Sequence, residues 1–452
     1  MKGETISWTG KKTVVLGMGR SGQAAAEWLL AQKAEVTVFD ESKRGGMKEL
    51  ARRWEGRGVR SVFGAETLPA TRFDHAILSP GIDPRRPVVV QLRSAKVPMF
   101  GELELGARAC LCPIIAVTGT NGKSTTAELL AAVFRAAGKK AVACGNLGQP
   151  LCEVAPVSGG LDYAVAEVSS FQLETIVTFR PRVAVYLNLT ADHLDRYADM
   201  KEYGAAKNRM FENQTSEDVA VVQKGLALPK LAARTVTFSA TDASADYVLR
   251  DGWLCAGTDR VIRQEETKLP GPHNAENLLA TLAVADAEKI SREAVKQAFA
   301  SYRPLPHRCE VVAVRGGVTW INDSKATNLD AMERAVLGVP GPVILIAGGK
   351  DKGFDFGPSL AHLRGRVRAA LLIGETAEKI EKAWREGVPC RRVGMLEEAV
   401  KRAAALASPG ETVLLSPGCS SYDQFKNFEE RGETYRQCVK ALPQEEKQHH
   451  ER

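Results

Sequence analysis

The 452-residue sequence has few cysteines, no long apolar run and no strong excess of one charge. Its nine cysteines form no C-x-x-C pair. The closest two, Cys110 and Cys112, have a spacing that suits neither a zinc knuckle nor a redox motif. A disulfide-rich scaffold is therefore excluded, and we expect scattered reduced thiols.

The missing apolar runs and the balanced charge exclude two further classes of protein. No apolar stretch approaches the ~18 residues that span a bilayer, and the N-terminal segment lacks the apolar core of a secretory signal. The formal net charge is only +7, which is too small for a nucleic-acid-binding footprint. We expect a soluble, cytoplasmic protein that binds neither a membrane nor a nucleic acid.

What is present is an ordinary globular composition, with 44% hydrophobic and 25% charged residues. The length predicts about three domains at roughly 150 residues each. Short β-branched runs alternate with amphipathic stretches, which predicts the α/β class with mostly parallel sheets. The Pro-rich residues 303–306 are predicted to form a linker. Strands are predicted at 13–16, 36–39, 75–78, 114–117, 163–166, 183–187, 343–347, 370–373 and 413–415.

A first glycine-rich loop, GMGRSG at residues 17–22, lies between a predicted strand and a helix predicted at 24–34. It fits G-x-G-x-x-G, in which a helix N-terminus offers free N–H groups to a phosphate. Asp40 follows 18 residues after Gly22, where an acidic side chain can reach a ribose hydroxyl. The loop predicts a dinucleotide or nucleotide-diphosphate site. A tight turn without a ligand and a nicotinamide-dependent oxidoreductase stay open as alternatives.

A second loop, VTGTNGKST at residues 117–125, is the stronger signal. Backbone amides would cradle phosphates, Lys123 would reach the terminal phosphates and the Ser124 hydroxyl would bind Mg²⁺. The loop departs from the strict P-loop, because Val117 occupies the place of the leading glycine. ATP binding is favoured, and a mechanical or nucleic-acid-dependent ATPase has no support from the net charge.

Polar residues follow two later predicted strands. Glu167 ends the strand at 163–166, where a carboxylate beside a P-loop strand can hold Mg²⁺ directly or through water. The segment NLTADHLDR at 188–196 follows the next strand and contains His193. A single glutamate or histidine is more often structural, but this clustering indicates ligand chemistry.

With these motifs, the sequence resembles the Mur ligases from the first glycine loop to Gly432. The match includes GTNGKST at 119–125, EVSSFQ at 167–172, DHLDR at 192–196, GPHNAEN at 271–277, DSKATN at 323–328 and SYDQFKNFE at 421–429. The last segment is similar to the members that add D-glutamate.

The resemblance implies three domains and a reaction. Residues 1–102 would form a Rossmann-like domain for the UDP substrate, 103–304 a central P-loop ATPase domain, and 305–452 a Rossmann-like domain that closes on ATP and binds D-glutamate. The carboxylate of UDP-N-acetylmuramoyl-L-alanine would attack the γ-phosphate of ATP, and the amine of D-glutamate would then displace phosphate. ATP and two Mg²⁺ ions are the implied cofactors, and we expect a monomer.

The resemblance also assigns site residues. The catalytic set is Lys123, Lys207, His193 and Lys325, and the metal set is Ser124, Glu167, His193 and Lys207, the last as a carbamate. The ATP site comprises Gly119, Thr120, Asn121, Gly122, Lys123, Ser124, Thr125, Asn274, Asn277, His307, Arg308 and Asp323. The UDP-substrate site comprises Arg20, Ser21, Asp40, Glu41, Ser79, Gly81, Asn146 and His193. The D-glutamate site comprises Thr327, Lys352, Ser421 and Phe428.

Two assignments depend strongly on the resemblance. From the residues alone, Lys207 would be a solvated lysine on a helix, and only the family match makes it a carbamate. Lys350 stands where some members carry an acid, so the neighbouring amino-acid contacts are less well defined. Another Mur-type ligase or a polyglutamate ligase is the nearest alternative, although the resemblance to polyglutamate ligases lies mainly in the later two domains.

Overall fold

The computed structural model describes residues 6–43, 46–303 and 305–443, so Pro304 of the predicted linker lies outside the described residues. The described residues form three sheets, which confirms the α/β class and the mostly parallel sheets. The chain divides into two compact units, one of residues 1–188 and 204–302 and the other of residues 189–203 and 303–452. In the described part of the chain, no helix is long and apolar enough to cross a membrane.

The first sheet has five parallel strands in the order β3-β2-β1-β4-β5, which are the first five of the six strands in the Rossmann order 3-2-1-4-5-6. Its strands are mostly short buried runs, as expected when helices cover both faces of a parallel sheet. The elements are β1 (Lys12–Leu16), α1 (Arg20–Ala31), β2 (Glu35–Asp40), α2 (Met47–Glu55), β3 (Arg60–Phe63), β4 (His75–Leu78), α3 (Pro87–Ser94), β5 (Met99–Gly101) and α4 (Glu102–Ala109).

The helix predicted at 24–34 was wrong at both ends, because α1 spans Arg20–Ala31. The glycine turn is shorter than its motif, and Gly19 serves as the N-cap. Gln32 is the C-cap of this helix, and the next residue, Lys33, adopts a positive φ of 62°. That conformation stops a right-handed helix.

The second sheet has nine strands in the order β14-β13-β12-β11-β10-β9-β6-β8-β7. Among these nine strands β13 alone runs in the opposite direction, so it pairs antiparallel with both β12 and β14. The helices α5, α9 and α10 pack over an apolar core on one face of the sheet. The strands are β6 (Ile114–Thr118), β7 (Ala141–Gly145), β8 (Tyr163–Glu167), β9 (Val183–Tyr186), β10 (Val219–Gln223), β11 (Arg234–Ser239), β12 (Tyr247–Arg250), β13 (Trp253–Ala256) and β14 (Asp259–Arg263). The helices are α5 (Lys123–Ala136), α6 (Leu151–Val154), α7 (Ser170–Leu173), α8 (Met200–Asn208), α9 (Pro272–Ala287) and α10 (Arg292–Ser301).

The third sheet has six strands in the order β15-β16-β20-β17-β18-β19, and only β15 is antiparallel. Its two faces are covered by separate apolar clusters. The elements are β15 (Glu310–Arg315), β16 (Val318–Asn322), α11 (Leu329–Gly338), β17 (Val343–Gly348), α12 (Leu360–Leu363), β18 (Val367–Ile373), α13 (Ala377–Trp384), β19 (Cys390–Gly394), α14 (Leu396–Leu406), β20 (Thr412–Leu415) and α15 (Phe428–Ala441). The neighbouring parallel strands β16, β20 and β17 bring three loops to one sheet edge.

Candidate active site

The first glycine loop forms a tight turn between β1 and α1. A Cβ on Gly22 would lie 1.8 Å from the Gly17 carbonyl oxygen, so only glycine lets the helix start this close to the strand. The Ser79 hydroxyl donates to the Gly17 carbonyl at 2.7 Å, and the Met18 N–H donates to Asp40 Oδ2 at 2.7 Å. The structure thus brings Ser79 and Asp40, two predicted UDP-substrate residues, to the glycine loop.

The other predicted residues of this site lie around the same turn or on the loop after β7. Arg20 begins α1 and is exposed, with Glu153 at 3.8 Å. Glu41 pairs with Arg86 at 3.0 Å. Ser21, Gly81 and Asn146 are at least partly accessible to solvent. Their roles in substrate binding stay predictions.

The second loop joins the fully buried strand β6 to α5. Gly122 has a φ of 85°, and a Cβ there would lie 2.2 Å from Asn277 Oδ1. The Lys123 ammonium folds back over the loop and donates to the carbonyls of Gly119 at 3.0 Å and Thr120 at 2.7 Å. Val117, the departure from the strict motif, is a buried strand residue that pairs with Glu167 on β8.

Asn188, which follows β9, holds this loop in shape. Its Oδ1 accepts from the N–H groups of Thr120 at 3.1 Å and Asn121 at 2.9 Å, and its Nδ2 donates to the Asn121 carbonyl at 3.1 Å. Asn188 is the first residue of the motif at 188–196, and the motif alone assigns it no role. Its position directly after a strand adjoining the P-loop strand was the available signal.

Lys207 is a buried lysine, which corrects the simple expectation of a solvated helix residue. It lies on α8 with 1% of its surface exposed. Its Nζ donates to the Gly119 carbonyl at 2.8 Å, the same oxygen that accepts from Lys123. Two lysine side chains therefore reach the same carbonyl of the phosphate loop.

Oxygen donors suited to Mg²⁺ lie at the same sheet edge. Glu167 is 3% exposed at the end of β8, and its Oε1 accepts from Asn146 Nδ2 at 2.6 Å. Ser124, 2% exposed, lies in the first turn of α5. A carboxylate and a hydroxyl fit the preference of Mg²⁺ for oxygen ligands. Within the described residues, no group of three or more His, Cys, Asp or Glu side chains is arranged to hold a metal ion.

The resemblance assigns Asn274 and Asn277 to the adenine of ATP, and both residues lie on α9. Asn274 is partly buried, whereas Asn277 is 4% exposed. Asn277 Oδ1 accepts from the Thr126 hydroxyl at 3.3 Å, and its Nδ2 contacts Asn274 Oδ1 at 3.4 Å. Asn277 therefore buttresses the phosphate loop, and adenine binding by this pair stays a prediction.

In the other unit, Asp323 and Arg308 lie close together after β16 and before β15. Asp323 accepts from the Ser416 hydroxyl at 2.8 Å and from the Cys309 N–H at 3.1 Å. Burial raises the pKa of Asp323 to about 6, although these bonds and the Arg308 charge oppose the shift. Arg308 Nε is buried without a hydrogen-bond partner among the described residues. It is a donor that an anionic ligand could use.

His307 is fixed in a buried polar contact beside this pair. It has a φ of 62°, and its Nδ1 lies 2.9 Å from Asn322 Nδ2, which makes that ring nitrogen the acceptor. Burial lowers its pKa, so the imidazole is neutral near pH 7.

A buried ion pair joins Asp192 to Lys352. The Lys352 ammonium donates to Asp192 Oδ1 at 2.9 Å, and Asn328 Nδ2 donates to Oδ2 at 3.2 Å. Burial alone would raise the pKa of Asp192, but the charges of Lys352 and His193 and the hydrogen bonds from Lys352 and Asn328 together outweigh it and lower the pKa to about 2. His193 is next in the chain, with a φ of 56° and Nε2 3.7 Å from Asp192 Oδ2. It belongs to this unit, and its metal and substrate roles stay predictions.

The loops after β16 and β20 carry the other predicted amino-acid residues. The Lys325 ammonium lies 4.5 Å from the centroid of the Phe428 ring, a cation–π contact. Ser421 is 3% exposed, and Thr327 is half-buried on the same loop as Lys325. Lys325, Lys352, Ser421 and Thr327 thus supply ammonium and hydroxyl groups from one unit, which are the donor types that a carboxylate ligand needs.

The fold and these sites define a class, that of P-loop nucleotide-binding enzymes with Rossmann-like sheets. Three family models match the chain, described as the Mur ligase MurD-like N-terminal domain over residues 11–101, the Mur ligase middle domain over 117–285 and the Mur ligase glutamate ligase domain over 307–419. The chain therefore belongs to the Mur ligase family.

Similar proteins span nearly the whole chain. A UDP-N-acetylmuramoylalanine–D-glutamate ligase of Syntrophotalea carbinolica is 41% identical over 96% of this chain and 98% of its own length. One of Nitratidesulfovibrio vulgaris is 42% identical over 96% and 97%. The solved UDP-N-acetylmuramate–alanine ligase of Thermotoga maritima shares the fold with a TM-score of 0.61, 18% identity and coverage of 95% and 99%. The MurF ligase of the same organism, in complex with ADP, has a TM-score of 0.61, 16% identity and 97% coverage of each chain.

Proposed function

We propose that this chain joins D-glutamate to UDP-N-acetylmuramoyl-L-alanine in an ATP-dependent reaction of peptidoglycan precursor synthesis. Relatives named for this activity are about two-fifths identical over nearly the whole chain. The structural observation that supports it best is the position of Lys123, whose ammonium lies on the phosphate loop and donates to the carbonyls of Gly119 and Thr120. A carboxylate that attacks the polyanionic ATP is strongly repelled, so catalysis needs concentrated positive charge and precise positioning.

The reaction proceeds in two displacements. An oxygen of the L-alanyl carboxylate forms a bond to the γ-phosphorus, the bond from that phosphorus to the bridging oxygen breaks, and ADP leaves. The neutral amine of D-glutamate then attacks the carbonyl carbon of the acyl phosphate. A carbon–nitrogen bond forms and the amine gives up a proton. The bond from the carbonyl carbon to the phosphate oxygen breaks, and inorganic phosphate leaves with that oxygen.

The P-loop residues bind and orient ATP in the first displacement. Backbone N–H groups of residues 119–125 would hold the phosphates, with Lys123 neutralising the terminal charge. Ser124 and Glu167 are proposed to hold Mg²⁺, which supplies charge neutralisation when bound. Lys207 joins them if it is carbamylated, because carbamylation converts an ammonium into an anionic oxygen ligand. Carbamylation requires a neutral, desolvated amine, and the Lys207 side chain is buried.

The remaining sites receive the other substrates. We propose that Asp40, Ser79 and the first glycine loop bind the UDP substrate at the edge of the first sheet. Lys352, Thr327, Ser421 and Phe428 would bind the carboxylates of D-glutamate, with Lys325 near the reacting phosphate. The unpaired Nε of Arg308 supports its assignment to ATP, as does its closeness to Asp323.

The three sheets support a division into domains at residues 1–102, 103–304 and 305–452. We infer that the enzyme acts in the cytoplasm as a monomer, with two Mg²⁺ ions per active site. Its substrates are a water-soluble nucleotide sugar and an amino acid.

The test is ADP release from Mg-ATP with UDP-N-acetylmuramoyl-L-alanine, in the presence of D-glutamate, L-glutamate or no amino acid. We expect release only with D-glutamate, and mass spectrometry should show one amide product. Release with a different amino acid would overturn the assigned specificity. No release with any amine would overturn the ligase assignment.

A further inference from the structure

Arg431, on the first turn of α15, is a buried arginine that has no ion-pair partner among the residues that the structure describes. Only 1% of its surface is exposed. Its Nε donates to the Ser324 hydroxyl at 3.0 Å, its Nη2 to the Ser324 carbonyl at 2.8 Å and its Nη1 to the Cys419 carbonyl at 3.1 Å. Burial lowers the pKa of its guanidinium to about 10, so it stays cationic near pH 7.

Such an arrangement is a poor way to stabilise a fold. A guanidinium loses its hydration on burial, and neutral oxygens compensate less than a carboxylate would. An apolar side chain of similar volume often serves stability equally well. The planar fork of five donors instead fixes the relative positions of the oxygens that it binds.

Those oxygens belong to two loops at the carboxyl edge of the third sheet. Ser324 precedes Lys325 on the loop after β16, and Cys419 lies two residues before Ser421 on the loop after β20. The Ser324 hydroxyl also donates to the Phe428 carbonyl at 2.8 Å. Arg431 therefore links both loops to the start of α15, whose first residue is Phe428.

The loop after β17 joins the same arrangement. An ideal Cβ on Gly349 would lie 3.3 Å from Arg431 Nη1 and 2.3 Å from the Ser420 carbonyl oxygen, so the loop passes directly over the guanidinium. The Lys350 N–H donates to the Ser420 carbonyl at 2.9 Å. Lys352 lies two residues farther along this loop.

We propose that Arg431 is a positioning residue that sets the spacing of Lys325, Ser421 and Lys352, and so determines the affinity for the amino-acid substrate. The inference rests on the proposed function, because it takes these three side chains as the groups that act on D-glutamate and the reacting phosphate. Arg431 itself is enclosed and acts through the loops that it joins.

The experiment compares Arg431→Ala, Arg431→Lys and a matched control, Arg436→Ala, in the full-length enzyme. Arg436 lies on the same helix and forms ion pairs with Glu433 at 2.6 Å and with Glu310 at 2.9 Å. For Arg431→Ala we expect the KM for D-glutamate to rise by about 30-fold or more, because the substitution removes the charge-assisted hydrogen bonds that hold the loops. The Kd for the UDP substrate should stay within about twofold, since all of its predicted residues except His193 lie in the other unit. Arg436→Ala should show neither change.

Added guanidinium gives the second readout. Millimolar guanidinium chloride should lower the raised KM for D-glutamate of Arg431→Ala part of the way toward the wild-type value. It should leave the KM of Arg436→Ala unchanged. Arg431→Lys should retain the raised KM, because an ammonium cannot reproduce the planar fork.

Each outcome separates the proposal from the proposed function. If the wild type shows no D-glutamate-dependent ADP release, the proposed function fails. If the wild type is active and folded Arg431→Ala keeps its KM for D-glutamate, the positioning role is wrong. If neither Arg431 variant folds, Arg431 serves the stability of its unit, and the proposal is equally overturned.

Discussion

Replacing Asn188 by alanine removes the side chain that ties the P-loop to the end of β9. The substitution deletes two acceptor contacts to the N–H groups of Thr120 and Asn121 and one donor contact to the Asn121 carbonyl. The backbone bond from the Thr120 N–H to the Asn188 carbonyl, at 3.0 Å, remains. The loop should therefore stay connected to β9 but lose its fixed shape.

The magnitude follows from these bonds. Each contributes about 1 kcal/mol net, so the three together set an upper limit of about 3 kcal/mol. If all of that energy served to preorganise the loop, the Kd for ATP would rise by about 150-fold, at 1.4 kcal/mol per factor of ten. Only the part of this energy that stabilises the bound loop more than the empty one changes the Kd, so we expect a rise of about 10- to 100-fold.

The assay is isothermal titration of Mg-ATP into the wild type, Asn188→Ala and a matched control, Asn213→Ala. Asn213 also bonds two backbone carbonyls, those of Val177 and Phe179 at 3.1 Å, in the same unit. The control therefore reports the general effect of deleting an asparagine that braces a loop. Its Kd for ATP should stay within about twofold of the wild type.

An Asn188→Ala enzyme with wild-type affinity would refute the reasoning, since the loop would then need no side-chain brace. Equal losses in both variants would also refute it, because the effect would come from the stability of the unit as a whole.

Two further predictions concern buried ionisable groups. Lys207→Ala should abolish turnover, and bicarbonate or acetate should restore part of it by supplying the missing anionic oxygens; full activity without additives would contradict the carbamate. The pKa of Asp323 is about 6 in the folded state, against an ordinary value of 3.8. Folding therefore favours the protonated form, and the contribution of Asp323 to stability is complete below pH ~4 and is lost as the pH rises through about 6. As the pH rises from 4 to 6, the urea midpoint of the wild type should therefore decrease relative to that of Asp323→Asn. A constant difference between the two midpoints across that window would contradict the effect of burial on Asp323.

The class and most strand positions could be predicted because they depend on local pattern. The strand at 75–78 coincides with β4, and the strand at 163–166 lacks only Glu167 of β8. Parallel strands buried on both faces must be continuous apolar runs, and such runs stand out in a sequence. The start of α1 could not be predicted equally well, because a glycine turn and the first helical turn share the same residues.

Burial of polar side chains was the part that the sequence does not show. Lys207 contacts Gly119 across a separation of 88 residues, and nothing in its neighbours distinguishes it from a surface lysine. Arg431 likewise looks like one of several charged residues at the start of a helix. Only the packing of distant loops shows that Asn188 and Arg431 brace residues that were assigned from motifs. The individual roles of those motif residues stay predictions.

The central claim is that this enzyme forms an amide through an acyl phosphate. The most direct measurement uses UDP-N-acetylmuramoyl-L-alanine in which both oxygens of the L-alanyl carboxylate are oxygen-18, with unlabelled ATP and D-glutamate. We predict that each inorganic phosphate released with the amide contains one oxygen-18 atom, because the attacking carboxylate oxygen leaves with the phosphate. Unlabelled phosphate formed together with the amide would show that the carboxylate never attacks phosphorus, and would contradict the account.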